Sequence, residues 1–432
     1  MSAVPAPPPE PGRPLAAYAA VTAAYWAFML TDGALRMLVL LHFHVLGFTA
    51  LQLAWLFLLY EAAGIVTNLC AGWIAARFGL TSTLYAGLAL QIGALAALGQ
   101  VSEEWTVAVS VAFVMAVQGA SGVAKDLAKM SSKSAVKLLA PAEGGGLFRW
   151  VAALTGSKNA VKGLGFLIGA ALLAGAGFQA SVYAMAGALV AVLAAVALLM
   201  PAGLPRGRKG AKFAEVFSKD RDINVLSAAR LFLFGARDVW FVVGIPIYFY
   251  GVLSDGSEAG NRAAFFQIGT FMAVWIIGYG AVQAFAPRIL AAKGRSLPET
   301  VGLARTWAGL LTAIPAALAV AAWAADGPAD WLTAALIGGL LLFGAVFAVN
   351  SSLHSYLILA FSTAERVTMD VGFYYMANAA GRLAGTLLSG LSYQAGGLPL
   401  CLGVSAAMAG LSCLAAGALR RRGGEGAART GA

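Results

Sequence analysis

Residues 201–222, PAGLPRGRKGAKFAEVFSKDRD, form the only long polar stretch inside a chain of 432 residues that is otherwise strongly apolar. The chain is 60% hydrophobic, only 11% of its residues are charged, and its mean hydropathy is +0.80. Soluble domains carry about 25% charged residues, so a chain this long and this apolar needs lipid as its solvent. Because the apolar runs are long and unbroken, we expect membrane-spanning helices and not a β-barrel.

Six apolar runs precede the polar stretch and six follow it, each long enough for the roughly 20 residues that cross the hydrocarbon layer. The predicted spans are 16–44, 49–76, 81–100, 105–125, 149–176, 178–200, 223–252, 263–288, 300–324, 331–358, 369–393 and 397–419. Two sets of six spans joined by a basic loop are typical of the major facilitator fold. The predicted fold class is therefore an all-α membrane protein with twelve transmembrane helices in two pseudo-symmetric six-helix bundles.

The domain organisation follows from the same pattern. We expect two helical bundles, at 16–200 and 223–420, joined by the basic linker 201–222. The proline-rich segment 1–15 is predicted to be a disordered tail, and 421–432 a second short tail. No basic segment followed by a short apolar core and a cleavage site begins the chain, so we expect no removable signal peptide.

Basic residues lie mainly on one side of the predicted membrane. Among the loops on the opposite side, Arg262 is the only cation, whereas acids are common there: Glu103, Glu104, Asp255, Glu258, Asp326 and Asp330. The positive-inside rule predicts that both termini are cytoplasmic, in a bacterial inner membrane. The net charge of +10 thus reflects topology, and its spread over many short loops does not indicate nucleic-acid binding.

Seven cations fall within or near predicted membrane depth, where a charge is costly unless it faces a cavity or a partner. These are Arg36, Lys158, Lys162, Arg230, Arg237, Arg305 and Arg382. The third, sixth and twelfth spans carry no charge, and the ninth carries only Arg305, which fits the lipid-facing helices of the predicted fold. The other spans are expected to surround a polar central cavity.

The first span contains Asp32 and Arg36, four residues apart and therefore on one helix face. They form either a mutually neutralised pair or an anion-binding arginine held by its aspartate. In the seventh span, Arg230 and Arg237 lie on nearly one face, with Arg237 roughly 21 Å into the helix. Asp238 points about 100° away from Arg237, so we expect it to be a poor partner and Arg237 to seek another partner or a substrate.

Lys158 and Lys162 share a face of the fifth span, where their repulsion calls for a counter-anion. That anion is either a bound substrate or an acid on the first, second or fourth span, such as Glu61. Lys125 and Lys129, at the end of the fourth span, are expected to line the cytoplasmic mouth and attract anions.

Together these residues predict a cationic cavity for a substrate with oxyanion groups, because arginine grips such groups with two parallel hydrogen bonds. The predicted substrate-binding residues are Arg36, Arg237, Lys158, Lys162, Arg230 and Arg382. The candidates for proton coupling are Asp32, Glu61 and Asp238. No cofactor or metal site is predicted, since the three cysteines, Cys70, Cys401 and Cys413, are scattered.

The loop after the second span, GWIAARFGL at 72–80, resembles the major facilitator loop motif G-x-L-A-D-R-x-G-R at Gly72, Arg77 and Gly79. Ala76 stands where the motif has its acid, and Leu80 stands where it has its last base. The resemblance implies a gating loop, but one without the salt bridge assigned to that acid.

Longer stretches are similar to the ArsJ family of organoarsenical efflux permeases. They are 25–61, 121–139 (SGVAKDLAKMSSKSAVKLL), 154–166 (LTGSKNAVKGLGF), 226–248 (LSAARLFLFGARDVWFVVGIPIY) and 271–288 (FMAVWIIGYGAVQAFAPR). The resemblance implies the substrate 1-arseno-3-phosphoglycerate and a functional partnership with the glyceraldehyde-3-phosphate dehydrogenase that makes it. Such a multiply anionic pentavalent arsenical suits a cationic cavity, whereas trivalent arsenic would favour clustered thiols.

Other functions remain open at this stage. An exchanger of ordinary sugar phosphates or other organic phosphates would use the same fold and the same cations. A membrane-embedded enzyme would need a catalytic or metal constellation, and the histidines His42, His44 and His354 do not have zinc-site spacing. A transporter-like receptor without flux usually carries a sizeable soluble signalling domain, which this sequence lacks.

We predict that a reporter fused after residue 432 is active only when it is one that works in the cytoplasm, because the basic loops place the C-terminus there. Paired fusions to a cytoplasmic and a periplasmic reporter measure this directly. An active periplasmic reporter would contradict the topology.

Overall fold

The computed structural model describes residues 13–139, 146–199, 218–290, 296–325, 327–362 and 367–419, and all regular elements within these ranges are helices. The first half contains α1 (Arg13–Val45), α2 (Ala50–Leu98), α3 (Val107–Leu139), α4 (Gly146–Ala176) and α5 (Phe178–Leu199). The second half contains α6 (Arg221–Val239), a π-helix (Trp240–Gly244), α7 (Ile245–Leu253), α8 (Glu258–Ile289), α9 (Leu297–Ala324), α10 (Asp330–Phe361) and α11 (Val367–Gly417).

The two longest helices each contain two of the predicted spans. α2 is broken at Gly79, whose φ of 74° and ψ of 178° lie in a region open only to glycine, and candidate spans lie on either side, at Ala50–Cys70 and Thr81–Leu98. α11 is broken at Gly396 and Gly397. Of the eleven segments long and apolar enough to span a membrane within the described residues, the last, Asp370–Gly417, therefore holds two spans.

The seventh span runs through three elements, α6, the π-helix and α7, from Arg221 to Leu253. Pro246, at the start of α7, has no amide hydrogen and its ring crowds the preceding turn, which is where the helix widens. The amides of Val243 and Gly244 donate to the Ser389 hydroxyl on α11, both at 3.2 Å. A neighbouring helix thus accepts hydrogen bonds from two amides of the widened turn.

The first and seventh spans form the centre of the molecule. Their buried shares are 83% and 78%, against 33% to 50% for the other spans. The outer surface presents large apolar side chains, among them Leu198, Val320, Trp323 and Leu414, as expected for helices that face lipid. Asp32 and Arg36 of α1 and Arg230 and Asp238 of α6 are therefore placed in the interior.

The two halves pack closely at the end where α1 and α7 finish. The His44 and Tyr250 rings meet edge to face at 4.8 Å, and the amide of Leu51 donates to Gln394 Oε1 at 3.2 Å. α4 and α8 approach so closely that a Cβ on Gly163 would lie 3.0 Å from the Ala273 carbonyl oxygen. These contacts bring the central faces of both halves together.

The helix boundaries differ slightly from the prediction. α1 begins at Arg13, inside the predicted tail, and α6 begins at Arg221, inside the predicted linker. α6 starts early because Asp220 caps it, accepting hydrogen bonds from the amides of Asp222 and Ile223 at 2.8 and 3.1 Å. The rest of the predicted tails and linker, at 1–12, 201–217 and 420–432, lies outside the described residues.

We predict that Gly79→Ala lowers the melting temperature of the purified protein, since a Cβ there strains the backbone by about 1–3 kcal/mol. Gly93→Ala, in the same helix, is the matched control because its Cβ would meet nothing within 4 Å. That substitution should leave stability unchanged or raise it slightly. Thermal unfolding in detergent compares the two, and equal melting temperatures would contradict the assigned backbone conformation.

Candidate functional site

A network of buried ion pairs lies where α1, α2, α4, α6 and α11 meet. It joins four cations, Arg36, Lys162, Arg237 and Arg382, to three carboxylates, Asp32, Glu61 and Asp238. The carboxylate side chains are only 1–2% exposed, and the cations are 8–20% exposed. We refer to these seven residues as the central network.

On α1, Asp32 and Arg36 turn to different partners. Arg36 Nη2 lies 2.7 Å from Glu61 Oε1 on α2. Asp32 Oδ2 accepts from Lys162 Nζ on α4 at 2.7 Å, and its other oxygen accepts from the Tyr60 hydroxyl at 2.5 Å. The expected pairing of Asp32 with Arg36 is therefore wrong, because each side chain reaches an opposite charge on another helix instead of its neighbour one turn away. Anion binding by Arg36 stays a prediction.

Lys162 pairs with an acid on another span, which was one of the two alternatives for its counter-anion. The acid is Asp32 on the first span and not Glu61. The pairing depends on a close approach of α1 and α4. A Cβ on Gly33 would lie 2.5 Å from the Lys162 carbonyl oxygen, so only glycine allows this helix contact. Lys158, one turn earlier on α4, is half-buried.

Arg382 links the two halves of the molecule. Its Nη2 lies 2.6 Å from Glu61 Oε1 in the first half, and its Nε lies 3.2 Å from Asp238 Oδ2 in the second half. Glu61 Oε1 thus accepts from both Arg36 and Arg382. α11 is brought against α6 at this level because Gly385 lies so close that its Cβ would be 2.6 Å from the Gly235 carbonyl oxygen.

Arg237 pairs with the adjacent Asp238, which corrects the expectation that the two would be poor partners. Arg237 Nε lies 2.6 Å and Nη2 lies 2.5 Å from Asp238 Oδ1. Although the two Cβ atoms point about 100° apart, the arginine stem is long enough to bring its guanidinium back. The rings of Phe234, Phe241 and Phe347, 4.9–5.9 Å from the guanidinium, surround it.

Lys125 and Lys129 lie on α3 beside the central network. Lys125 Nζ sits 4.1 Å from the centre of the Tyr60 ring. Lys129 Nζ lies 3.6 Å from Asp126 Oδ1 and 2.8 Å from Asn68 Oδ1, and it also faces the Tyr375 ring of α11 at 5.3 Å. Lys129 therefore contacts both halves of the molecule.

Two residues beside the central network, Tyr60 and Asp126, were not predicted as site residues from the sequence. Tyr60 touches Asp32, Arg36 and Lys125, yet an aromatic residue inside an apolar run carries no signal of such a role. Asp126, which binds the Thr67 hydroxyl and Lys129, stands among the repeated lysines of 125–137 and could have been found as their counter-charge.

The structure leaves Arg230 outside the central network. Arg230 and Arg237 lie on nearly the same face of α6, as expected, since the Phe234 ring contacts both guanidinium groups. Arg230, however, donates to Ser351 on α10 and makes no ion pair with the carboxylates of the central network.

The residues of the loop motif lie around the break in α2, which is at Gly79. Arg77 is exposed, with its guanidinium 5.7 Å from the Trp73 ring, and Gly72 lies in the preceding helical turns.

The central network has one more positive charge than negative charge, counting Arg36, Lys162, Arg237 and Arg382 against three carboxylates. Its guanidinium groups come from both halves and share carboxylates through Arg382. Chemically, the arrangement can accept a further anion, or exchange one of its carboxylates for one. Among the described residues, no three histidine, cysteine or acidic side chains are grouped so as to hold a metal ion.

We predict that Glu61→Gln lowers the free energy of unfolding by about 3–5 kcal/mol, because Arg36 and Arg382 both lose their common carboxylate in a buried setting. Arg262→Gln is the control, since its pair with Glu258 is exposed and contributes about 1 kcal/mol or less. Thermal unfolding of both purified variants measures the difference. Equal losses would mean that the central network is not tightly desolvated.

Neither a protein-family model nor a curated protein matches this sequence. Solved structures match it in shape. A mutant of the nucleoside transporter NupG superposes with a TM-score of 0.65 at 16% identity, covering 94% of this chain and 99% of that one. A bacterial homologue of the iron transporter ferroportin, in an inward-facing state, gives 0.67 at 15% identity, covering 93% and 98%.

At this level of identity the likeness shows the fold and leaves the substrate open. The predicted all-helical membrane fold of the major facilitator type, with two six-helix bundles, is confirmed. The similarity to the ArsJ family rests on the sequence strings alone. The chain is a multi-pass membrane protein with the architecture of these two transporters.

Proposed function

We propose that this chain is a secondary-active efflux permease that exports an anionic pentavalent organoarsenical, 1-arseno-3-phosphoglycerate. It acts with a glyceraldehyde-3-phosphate dehydrogenase that forms this compound from arsenate, and the pair confers arsenate resistance. The membrane is the bacterial inner membrane, with both termini in the cytoplasm. The transport fold and the sequence similarity to ArsJ permeases support this proposal.

The observation that carries the proposal is the excess of buried cations over carboxylates in the central network, in which three of the four cations are guanidinium groups. Arg36 comes from the first half, and Arg237 and Arg382 come from the second. Planar guanidinium forks match phosphate and similar oxyanions with paired hydrogen bonds. A substrate with a phosphate at one end and an arsenate ester at the other can therefore engage both halves.

In the proposed binding step, oxyanion groups of the substrate replace carboxylates as the partners of the arginines. Glu61 Oε1 serves two arginines and Asp238 also serves two, so each carboxylate can yield one of them to an incoming oxyanion. When the substrate takes over Arg36 and Arg237 from opposite halves, Arg382 changes its hold on Glu61 or Asp238. Because Arg382 links the halves, this exchange favours the switch in access.

The same exchange provides a place for coupling to protons. Glu61 and Asp238 each lose part of their ionic partnership when the substrate binds, and ionisable side chains inside a membrane protein often serve as proton relays. Asp32, held by Lys162 and Tyr60, is the third carboxylate in reach. Lys125 and Lys129 attract the anion on its way from the cytoplasm.

An exchanger of ordinary organic phosphates is the second candidate, because the guanidinium groups that suit an arsenate ester suit phosphate equally well. The cysteines do not favour a trivalent arsenic substrate: Cys401 and Cys413 each donate to a backbone carbonyl on a neighbouring helix, Val239 and Arg305 respectively. Transport assays with and without arsenic in the substrate distinguish the organoarsenical permease from the organic-phosphate exchanger.

The experiment is transport into everted membrane vesicles. The dehydrogenase, its cofactor, glyceraldehyde 3-phosphate and arsenate are supplied outside, and arsenic inside the vesicles is measured. We expect accumulation only when the dehydrogenase and the permease are both present. In an arsenate-sensitive host, resistance should likewise require both proteins. Uptake of 3-phosphoglycerate without arsenic at an equal rate would favour the exchanger.

We predict that Arg36→Lys and Arg237→Lys each reduce this transport by roughly one to two orders of magnitude. The charge is kept but the planar fork is lost, which removes a charge-assisted contact of about 1.5–3 kcal/mol. Arg262→Lys, in an exposed pair, is the control for expression and for general effects of the substitution. If both Lys variants transport like the wild type at equal membrane abundance, the arginines are structural, and the proposed binding of the substrate between Arg36 and Arg237 is wrong.

A further inference from the structure

A second buried polar group lies within the C-terminal half, on α6, α10 and α11. We call it the Arg230 cluster, and its members, all 4% exposed or less, are Ser227, Arg230, Asn350, Ser351, His354 and Tyr374. It has no part in the function proposed above. The Phe234 ring separates it from the central network, since that ring lies 4.1 Å from the Arg230 guanidinium and 4.9 Å from that of Arg237.

Arg230 is a buried cation that makes no ion pair with any residue the structure describes. Its Nη1 donates to the carbonyl and the hydroxyl oxygen of Ser351 at 3.1 and 2.9 Å. The rings of Phe234 and Tyr374 cover the guanidinium at 4.1 and 4.9 Å. Its Nε has no hydrogen-bond partner among the described residues. A guanidinium in this setting is costly without an opposite charge.

Four other members of the Arg230 cluster can each donate at least one hydrogen bond. Asn350, His354, Ser227 and Tyr374 all have buried polar atoms without a partner in the described part of the chain: both amide atoms, both ring nitrogens and the two hydroxyl groups. Asn350 and His354 are four residues apart on α10 and flank Ser351, which holds Arg230. They therefore share one face of α10, in the same helical turn as the residue that holds Arg230.

We propose that the Arg230 cluster binds a small inorganic anion, of the size of chloride or phosphate. A cation, an imidazole, an amide and two hydroxyl groups form a donor set that an anion satisfies, and the anion supplies the charge that Arg230 lacks. The bound anion joins α6, α10 and α11 and stabilises the C-terminal bundle. This site does not depend on the identity of the transported substrate.

The test measures thermal unfolding of the purified protein in detergent, titrated with chloride or phosphate against gluconate at constant ionic strength. Since a ligand that binds only the folded state raises stability, we expect a saturable rise in melting temperature of about 2–4 °C. The rise should vanish in His354→Leu and in Asn350→Leu. Two variants are used so that one misfolded protein does not decide the outcome.

Two controls locate the effect. Arg237→Met should keep the anion-dependent rise, because its ion pair lies in the central network and the apolar methionine can still pack on Phe234. Gln91→Leu removes a buried amide with an unpartnered nitrogen in the other half, and it should also keep the rise. If the anion-dependent rise in melting temperature is lost in Arg237→Met but kept in His354→Leu, the anion binds at the central network. That result would overturn the proposal.

A second set of measurements identifies the source of the anion. Bromide introduced into crystals should give an anomalous peak beside Arg230 and His354. If neither chloride nor phosphate raises the melting temperature of the wild type, the proposal fails. If 3-phosphoglycerate raises it in the wild type but not in His354→Leu, while both inorganic anions have no effect, the cluster binds the substrate, and the inorganic-anion site is likewise refuted.

Discussion

An ionised side chain buried among transmembrane helices needs an opposite charge, because no water is there to solvate it. In this protein the requirement is met mainly between helices. Asp32 on α1 holds Lys162 on α4, and Glu61 on α2 holds Arg36 on α1 and Arg382 on α11. The packing of α1, α2, α4, α6 and α11 around one centre is thereby tied to a single set of ion pairs.

The central network is also short of negative charge, and this shortage is what suits it to an anion. Glu61 Oε1 is shared by two guanidinium groups, and Asp238 is shared by Arg237 and Arg382. A shared carboxylate satisfies each arginine incompletely, so the oxyanion in the proposed transport would replace existing contacts instead of desolvating bare charges. Exchange of this kind needs little net free energy, which is what reversible switching between two arrangements requires.

Arg382 illustrates how one side chain can connect binding to movement. It donates to Glu61 in the first half and to Asp238 in the second. A change of partner at either carboxylate therefore alters a contact between the two bundles. The Arg230 cluster, by contrast, lies within the second half alone, on α6, α10 and α11. Its proposed anion would stiffen one bundle, while the central network joins the two.

The sequence by itself determined the membrane class, the twelve spans and the cationic character of the centre, because these depend on composition and on period along single helices. All seven members of the central network were also named from the sequence as candidate site residues, since a charge at membrane depth is conspicuous. The partners were decided by tertiary structure alone. Asp32 and Arg36 share a helix face but bind α4 and α2, and Arg237 bends back to Asp238. Side-chain pairing depends on which helices approach closely, as at Gly33 and Gly385, and that distance is not encoded in the periodicity of either helix.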